Sequence, residues 1–107
     1  MSKVGQHVCN AFENICIADK KWIANHDYEE VRDLLISAID TLCQFDGLES
    51  NYRKGLDWLE RSPNLSADPA LLSSAKYHYL HGAALHVIAE AQITDMFEDY
   101  RKDYFSV

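Results

Sequence analysis

Four residues in the last third of the chain have the types and the spacing that chemistry requires. His78, Gly82, His86 and Glu90 follow one another at steps of four, and His81 lies three residues after His78. Residues three or four apart share one face of a helix. Imidazole and carboxylate groups on such a face can bind a transition metal, or act as a general base with its orienting partner. One hypothesis is therefore a metal site at His78, His86 and Glu90.

A second interpretation gives the same residues a structural role. The chain has no HExxH motif, and metal sites in helical bundles draw their ligands from several helices. The residues would then form a polar seam in which Gly82 allows a close helix approach and His81 lies at an interface. Acidification to about pH 5 should charge such a seam and weaken the interface.

Other kinds of catalytic site have little support in this sequence. It contains no GxSxG turn for a nucleophilic serine and no glycine-rich loop for phosphate. Cys9, Cys16 and Cys43 lie on or beside apolar stripes, where we expect buried and unreactive thiols. The sequence therefore favours a binding protein over an enzyme, and it identifies no catalytic residue and no cofactor.

Composition narrows the possible partners. The length of 107 residues predicts one helical domain over residues 1–107. The formal net charge of −7 disfavours direct binding to nucleic acid. No run of eighteen apolar residues could cross a membrane. The first fourteen residues lack the basic and apolar regions of a signal peptide, so we expect a cytoplasmic protein.

Apolar periodicity predicts an all-α bundle of four helices, or five if the first is interrupted near Asp19. The predicted helices cover residues 3–23, 27–46 and 48–61, followed by a linker over 63–67 and a long helix that begins at Asp68-Pro69. Asp27 and Glu30 have the spacing of a capping box for the second helix.

Each predicted helix has an inner face defined by its apolar residues. In the first half of the chain these faces are Val4, Val8, Phe12, Ile15, Trp22 and Ile23, then Val31, Leu34, Leu35, Ala38, Ile39 and Leu42. In the second half they are Tyr52, Leu56 and Leu59, then Leu80, Ala84, Val87 and Ala91.

The long helix indicates self-association. Some thirty-six residues would extend about 54 Å, twice the reach of its neighbours, so the helix must bend, break or protrude. Protrusion would expose an apolar and aromatic patch, which rarely faces water in a monomer. We therefore expect a homodimer, or a partner protein, to cover Ile93, Phe97, Tyr100, Tyr104 and Phe105.

Three functions follow as expectations. The first is a small regulatory protein that acts as a homodimer and binds another protein, as an inhibitor or adaptor of a kind common among phage and mobile-element products. The second is a metal-binding or hydrolytic bundle that uses His78, His86 and Glu90. The third is an acidic mimic of nucleic acid, based on the carboxylates of Asp95, Glu98, Asp99 and Asp103.

Overall fold

The computed structural model describes the backbone of residues 3–46 and 51–105, and the side-chain surroundings of residues 5–43 and 51–94. Within these ranges every regular element is a helix, which confirms the all-α class. The helices are α1 (Lys3–Asn25), α2 (Tyr28–Asp46), α3 (Tyr52–Arg61), α4 (Pro63–Ser66) and α5 (Pro69–Phe105). α1 passes Asp19 without a break, so the interruption considered for this helix does not occur.

The long helix α5 is the element that the other helices share, because α1, α2, α3 and α4 all contact it. Trp22 on α1 stacks on Tyr77 with ring centroids 4.4 Å apart. Asp19, one turn earlier on α1, meets His81, one turn later on α5. These two contacts run in opposite directions along the chain, so α1 and α5 are antiparallel.

The short helix α3 is held between α2 and α5. The hydroxyl of Tyr52 donates to Asp40 on α2, at 3.1 Å from Oδ1. At the other end of α3, Glu60 forms an ion pair with Lys76 on α5, with 2.7 Å between Nζ and Oε1. α3 therefore bridges α2 and α5 and fixes the orientation of the first half of α5.

The core confirms the predicted inner face of α2 except at Leu34, which is partly buried, and corrects that of α1. Phe12 is 52% exposed and Ile23 is 74% exposed, whereas the smaller Ala11 and Ala18 are buried in their place. Small residues in a helix seam let neighbouring backbones approach closely, and this favours alanine over phenylalanine there. The side chain of Val4 lies outside the described residues. The buried row of α1 is Val8, Ala11, Ile15, Ala18 and Trp22, and that of α2 is Tyr28, Val31, Leu35, Ala38, Ile39 and Leu42.

The turn between α1 and α2 is closed by backbone and side-chain caps. His26 adopts a positive φ of 51° and donates its N–H to the carbonyl of Trp22 at 2.7 Å, which ends α1. Asp27 Oδ1 accepts the N–H of Glu29 at 3.1 Å, as predicted for the residue that caps α2.

Glu30 does not complete the capping box. Its carboxylate accepts hydrogen bonds from Lys21 at 3.2 Å and from Asn25 at 3.1 Å, both on α1. These hydrogen bonds, with that from Lys21 the stronger influence, lower the pKa of the Glu30 carboxyl group. The predicted role was therefore wrong, because Glu30 joins two helices instead of closing one.

The predicted linker over residues 63–67 was also wrong in part, because it contains the one-turn helix α4. Ser62 is extended, at φ −68° and ψ 120°, and Pro63 then opens the turn with the φ that a first helical residue requires. Ser66 returns a hydrogen bond from its hydroxyl to the carbonyl of Glu60 at 2.8 Å. The predicted start of α3 at Leu48 lies outside the described residues.

Gly55 is the residue that lets α3 lie close to α5. A Cβ atom built on Gly55 would lie 2.0 Å from Cζ of Tyr79, so the ring occupies the space that any other residue would need. From sequence alone, this glycine only weakens its helix, by about 1 kcal/mol relative to alanine. In the structure, the missing side chain at Gly55 leaves room for the ring of Tyr79 to pack against α3.

Replacing Gly55 with alanine should destabilise the protein by about 1 kcal/mol, even though alanine favours helix formation. Moving the half-exposed Tyr79 ring out of this space costs about 1–3 kcal/mol, and the middle of that range exceeds the gain of about 1 kcal/mol in helix propensity. In a Tyr79→Ala background the same change should instead stabilise the protein by about 1 kcal/mol, because the obstacle is gone. Urea unfolding followed by circular dichroism measures both; equal effects in the two backgrounds would contradict this packing.

Candidate functional site

One side of α5 is exposed along most of its described length and carries no charge. Gly82 and Ala89 are exposed on this side. The side chain of Leu85 is 40% exposed and that of Ile93 is 56% exposed. Lys76 is the one charged residue between Pro69 and Ala89, and it turns away to Glu60. We call this surface the outer face of α5; it comprises Leu71, Ala75, His78, Gly82, Leu85, His86, Ala89 and Ile93.

The exposed apolar side chains of α1 lie beside this face. Asp19 and His81 mark the contact between the two helices, with 3.1 Å between Oδ1 and Nε2. Phe12, Cys16 and Ile23 lie seven before, three before and four after Asp19, so they share its side of α1. They therefore extend the outer face of α5 across the neighbouring helix.

The cysteines correct a prediction of burial. Cys9 and Cys16 are exposed and Cys43 is half-buried. Burial raises the pKa of the Cys43 thiol, with the nearby Asp40 carboxylate adding to the effect, so this thiol is less reactive than an ordinary one. Cys16 belongs to the exposed side of α1 that adjoins α5, which makes it part of a surface and not of the core.

The residues proposed as metal ligands do not meet within one chain. His86 Nε2 lies 3.0 Å from Glu90 Oε1, so these two form a pair. His78 precedes His86 by eight residues, which places it about 12 Å away along the helix axis. Among the described residues no group of three or more histidine, cysteine, aspartate or glutamate side chains could hold a metal ion.

Gly82 lies open at the centre of this face. A Cβ atom built on it meets nothing within 4 Å, so the close helix approach predicted at this glycine is not made inside the chain. An open groove of about 510 Å³ runs beside it toward the start of α3. The groove is lined by Asn51, Tyr52, His78, Tyr79, Gly82, Ala83 and His86.

His81, predicted for an interface, has its partners within the chain. Its Nε2 lies 3.1 Å from Asp19 Oδ1, and the hydroxyl of Tyr77 donates to the same carboxylate. Burial and this hydrogen bond to Asp19 both raise the pKa of the Tyr77 hydroxyl. The three residues therefore join α1 to α5 as a half-buried polar cluster, and an intermolecular role of His81 stays a prediction.

The distal part of the predicted interface is described only by its backbone. α5 continues to Phe105, about 21 Å beyond Ala91, the last residue found buried in the described part. The side chains of Phe97, Tyr100, Tyr104 and Phe105 lie outside the described residues. The acidic side chains of the same segment, which the mimic hypothesis needs, also lie outside them.

Two further findings bear on the class of protein. In the part of the chain that the structure describes, no helix has the length and apolar character needed to cross a membrane. Comparison with known proteins found no matching family, no matching curated protein and no matching solved structure.

Proposed function

We propose that this chain is a small cytoplasmic helical-bundle protein that binds and regulates another protein as a homodimer, with the outer face of α5 as the dimer interface. The observation that carries the proposal is the open, uncharged surface around Gly82, flanked by exposed apolar residues such as Leu85 and Ile93. Several exposed apolar side chains on one helix face are typical of interaction sites.

Charge favours a second copy at this face. Each chain has a net charge of −7, so two copies repel each other in most orientations. Repulsion is smallest where the surfaces in contact are uncharged, and the outer face of α5 meets that condition between residues 71 and 89. A basic partner would instead require carboxylates on this face, which it lacks until Glu90.

The available area is also in the right range. Between Leu71 and Ile93 the outer face is about 33 Å long and about 10 Å wide. A stable interface buries about 800 Å² on each partner, which is more than one helix supplies. The exposed side of α1, with Phe12 and Ile23, roughly doubles the width, so the two helices together provide an interface of ordinary size.

A separate exposed residue supports the binding of another protein. Trp58 on α3 is 79% exposed and lines a groove of about 440 Å³ with Arg61 and Ser62. Tryptophan is enriched among the residues that contribute most to protein interfaces. Trp58 lies on α3 and is not one of the residues of the outer face of α5, so a dimer formed through that face could still present it to a partner.

A second candidate function, metal binding, is favoured by the pairing of His86 with Glu90 at 3.0 Å. Both donors are exposed enough to receive an ion, and both are ligands that zinc accepts. The hydrolytic form of this hypothesis and the nucleic-acid mimic have no comparable observation among the described side chains.

Light scattering coupled to gel filtration tests the proposed dimer. A chain of 12.3 kDa should elute with about twice that mass at micromolar concentration. Raising the salt from about 20 to 300 mM should tighten the dimer, because salt screens the repulsion between acidic copies while apolar contacts persist. A monomeric mass at micromolar protein concentration, in both low and high salt, would contradict the proposal.

A further inference from the structure

A row of residues crosses the outer face of α5 from Ser74 at one edge to Glu90 at the other, with matching chemistry on both sides of Gly82. Ser74, His78, Gly82, His86 and Glu90 follow at steps of four, so a histidine flanks the glycine on each side. Beyond the histidines lie a hydroxyl donor on one side and a carboxylate acceptor on the other. Such a row forms a ridge on the helix surface. When the row is reversed, a carboxylate stands in the place of the hydroxyl and a histidine stands in the place of each histidine.

Two copies of this ridge fit each other when their α5 helices cross in opposite directions at Gly82. Ridges of residues four apart become parallel at an interaxial angle of about −50°. A two-fold axis through the crossing then brings His78 next to the partner's His86. The open space at the Gly82 Cβ position allows the backbones to come close.

We propose that the dimer binds zinc at two equivalent sites, each formed by His86 and Glu90 of one copy and by the partner's His78. This inference rests on the proposed dimer and adds a ligand to its interface. The partner copy is essential, because His78 of the same chain lies about 12 Å along the helix from His86 and cannot reach the same ion.

The geometry of the His86–Glu90 pair suits a shared ion. Two ligands at about 2.0–2.1 Å from a tetrahedral zinc ion lie about 3.3 Å from each other. His86 Nε2 and Glu90 Oε1 are already 3.0 Å apart, so a small adjustment admits the ion between them. A third nitrogen from the partner's His78 leaves the fourth position to water, as in other sites with three protein ligands.

Trans-complementation between two variants tests this arrangement. His78→Ala removes the partner's ligand from both sites of its dimer, and His86→Ala removes the paired ligand from both sites. A heterodimer of the two variants keeps one complete site, made of His86 and Glu90 from the first variant and His78 from the second. Differently tagged chains, purified through both tags, isolate this heterodimer for metal analysis after equilibration with zinc.

We expect about one zinc ion per chain in the unmodified dimer, none in either variant homodimer, and about one per heterodimer. Zinc should also tighten the unmodified dimer at least about tenfold relative to protein treated with a chelator, since metal bound only by the dimer stabilises it. Zinc retained by the His78→Ala homodimer, or absent from the heterodimer, would overturn the shared site.

The controls separate failure of the site from failure of the dimer. His26→Asn removes an imidazole elsewhere, at a position where asparagine tolerates the positive φ, and should leave zinc binding unchanged. Circular dichroism confirms that each variant is folded, and Glu90→Gln repeats the test without changing side-chain size. A dimer that forms but binds no zinc refutes the site alone, whereas a monomer with and without zinc refutes the proposed function as well.

Discussion

Replacing Gly82 with leucine should convert the proposed dimer into a monomer without unfolding the chain. The position is exposed, and a Cβ atom there meets nothing within 4 Å, so leucine fits the isolated chain. It should even stabilise α5 by up to about 1 kcal/mol, because glycine is the poorer helix former. In the dimer each leucine would meet the partner's backbone, and overpacking of this kind costs about 1–3 kcal/mol per copy.

The expected loss is thus about 2–6 kcal/mol per dimer, which raises the dissociation constant at least about thirtyfold. Sedimentation equilibrium measures this change. Ser37→Leu is the matched control, because Ser37 is also exposed but lies on the solvent side of α2. A Gly82→Leu protein that remains as dimeric as this control would show that the copies do not meet at Gly82.

The sequence predicted α2 more accurately than α1, for a physical reason. The inner positions of α2 are filled mainly by large aliphatic residues such as Leu35 and Ile39, so hydropathy and burial coincide. In α1 two of the buried positions are alanines, and Phe12 stands one residue away from the true row. Periodicity follows the most apolar side chains, whereas packing rewards the side chain that fits between neighbouring helices.

Gly55 and Gly82 show that the local sequence does not determine which glycine allows two helices to pack closely. Gly82 was interpreted as a point of close approach and Gly55 only as a weak point in its helix, but within the chain their roles are reversed. The difference comes from Tyr79, which lies 24 residues after Gly55 and meets it only once α3 and α5 have packed. No property of the sequence around Gly55 encodes that encounter.

The cluster of Asp19, Tyr77 and His81 was missed for a similar reason. Asp19 and His81 are 62 residues apart. In the sequence, Asp19 indicated only a possible interruption of the first helix. One local signal was present, since Asp19 follows the buried Ala18 directly and therefore borders the buried row. Recognising its partner required the antiparallel pairing of α1 with α5, which only tertiary contacts reveal.

Truncating Leu80 to alanine should destabilise the protein by about 2–5 kcal/mol, the largest loss of stability expected from a single change in α5. Leu80 is fully buried at 0% exposure, in the helix that contacts all the others. Removal of a buried leucine side chain costs both its transfer free energy and the cavity that remains. Domains of this size are stable by about 5–15 kcal/mol, so this change should be visible as a large drop in the urea midpoint.

Leu85→Ala is the matched comparison, because the same truncation falls five residues later on the outer face, where the side chain is 40% exposed. In a Gly82→Leu background, where the chain should be monomeric, Leu85→Ala should cost less than about 1 kcal/mol, whereas Leu80→Ala should keep its full cost. In the proposed dimer, in which the second copy would cover that side chain, Leu85→Ala should instead weaken association. Equal stability losses for the two truncations in the monomeric background would mean that Leu85 already belongs to the core of one chain, and that the outer face of α5 is not available to a partner.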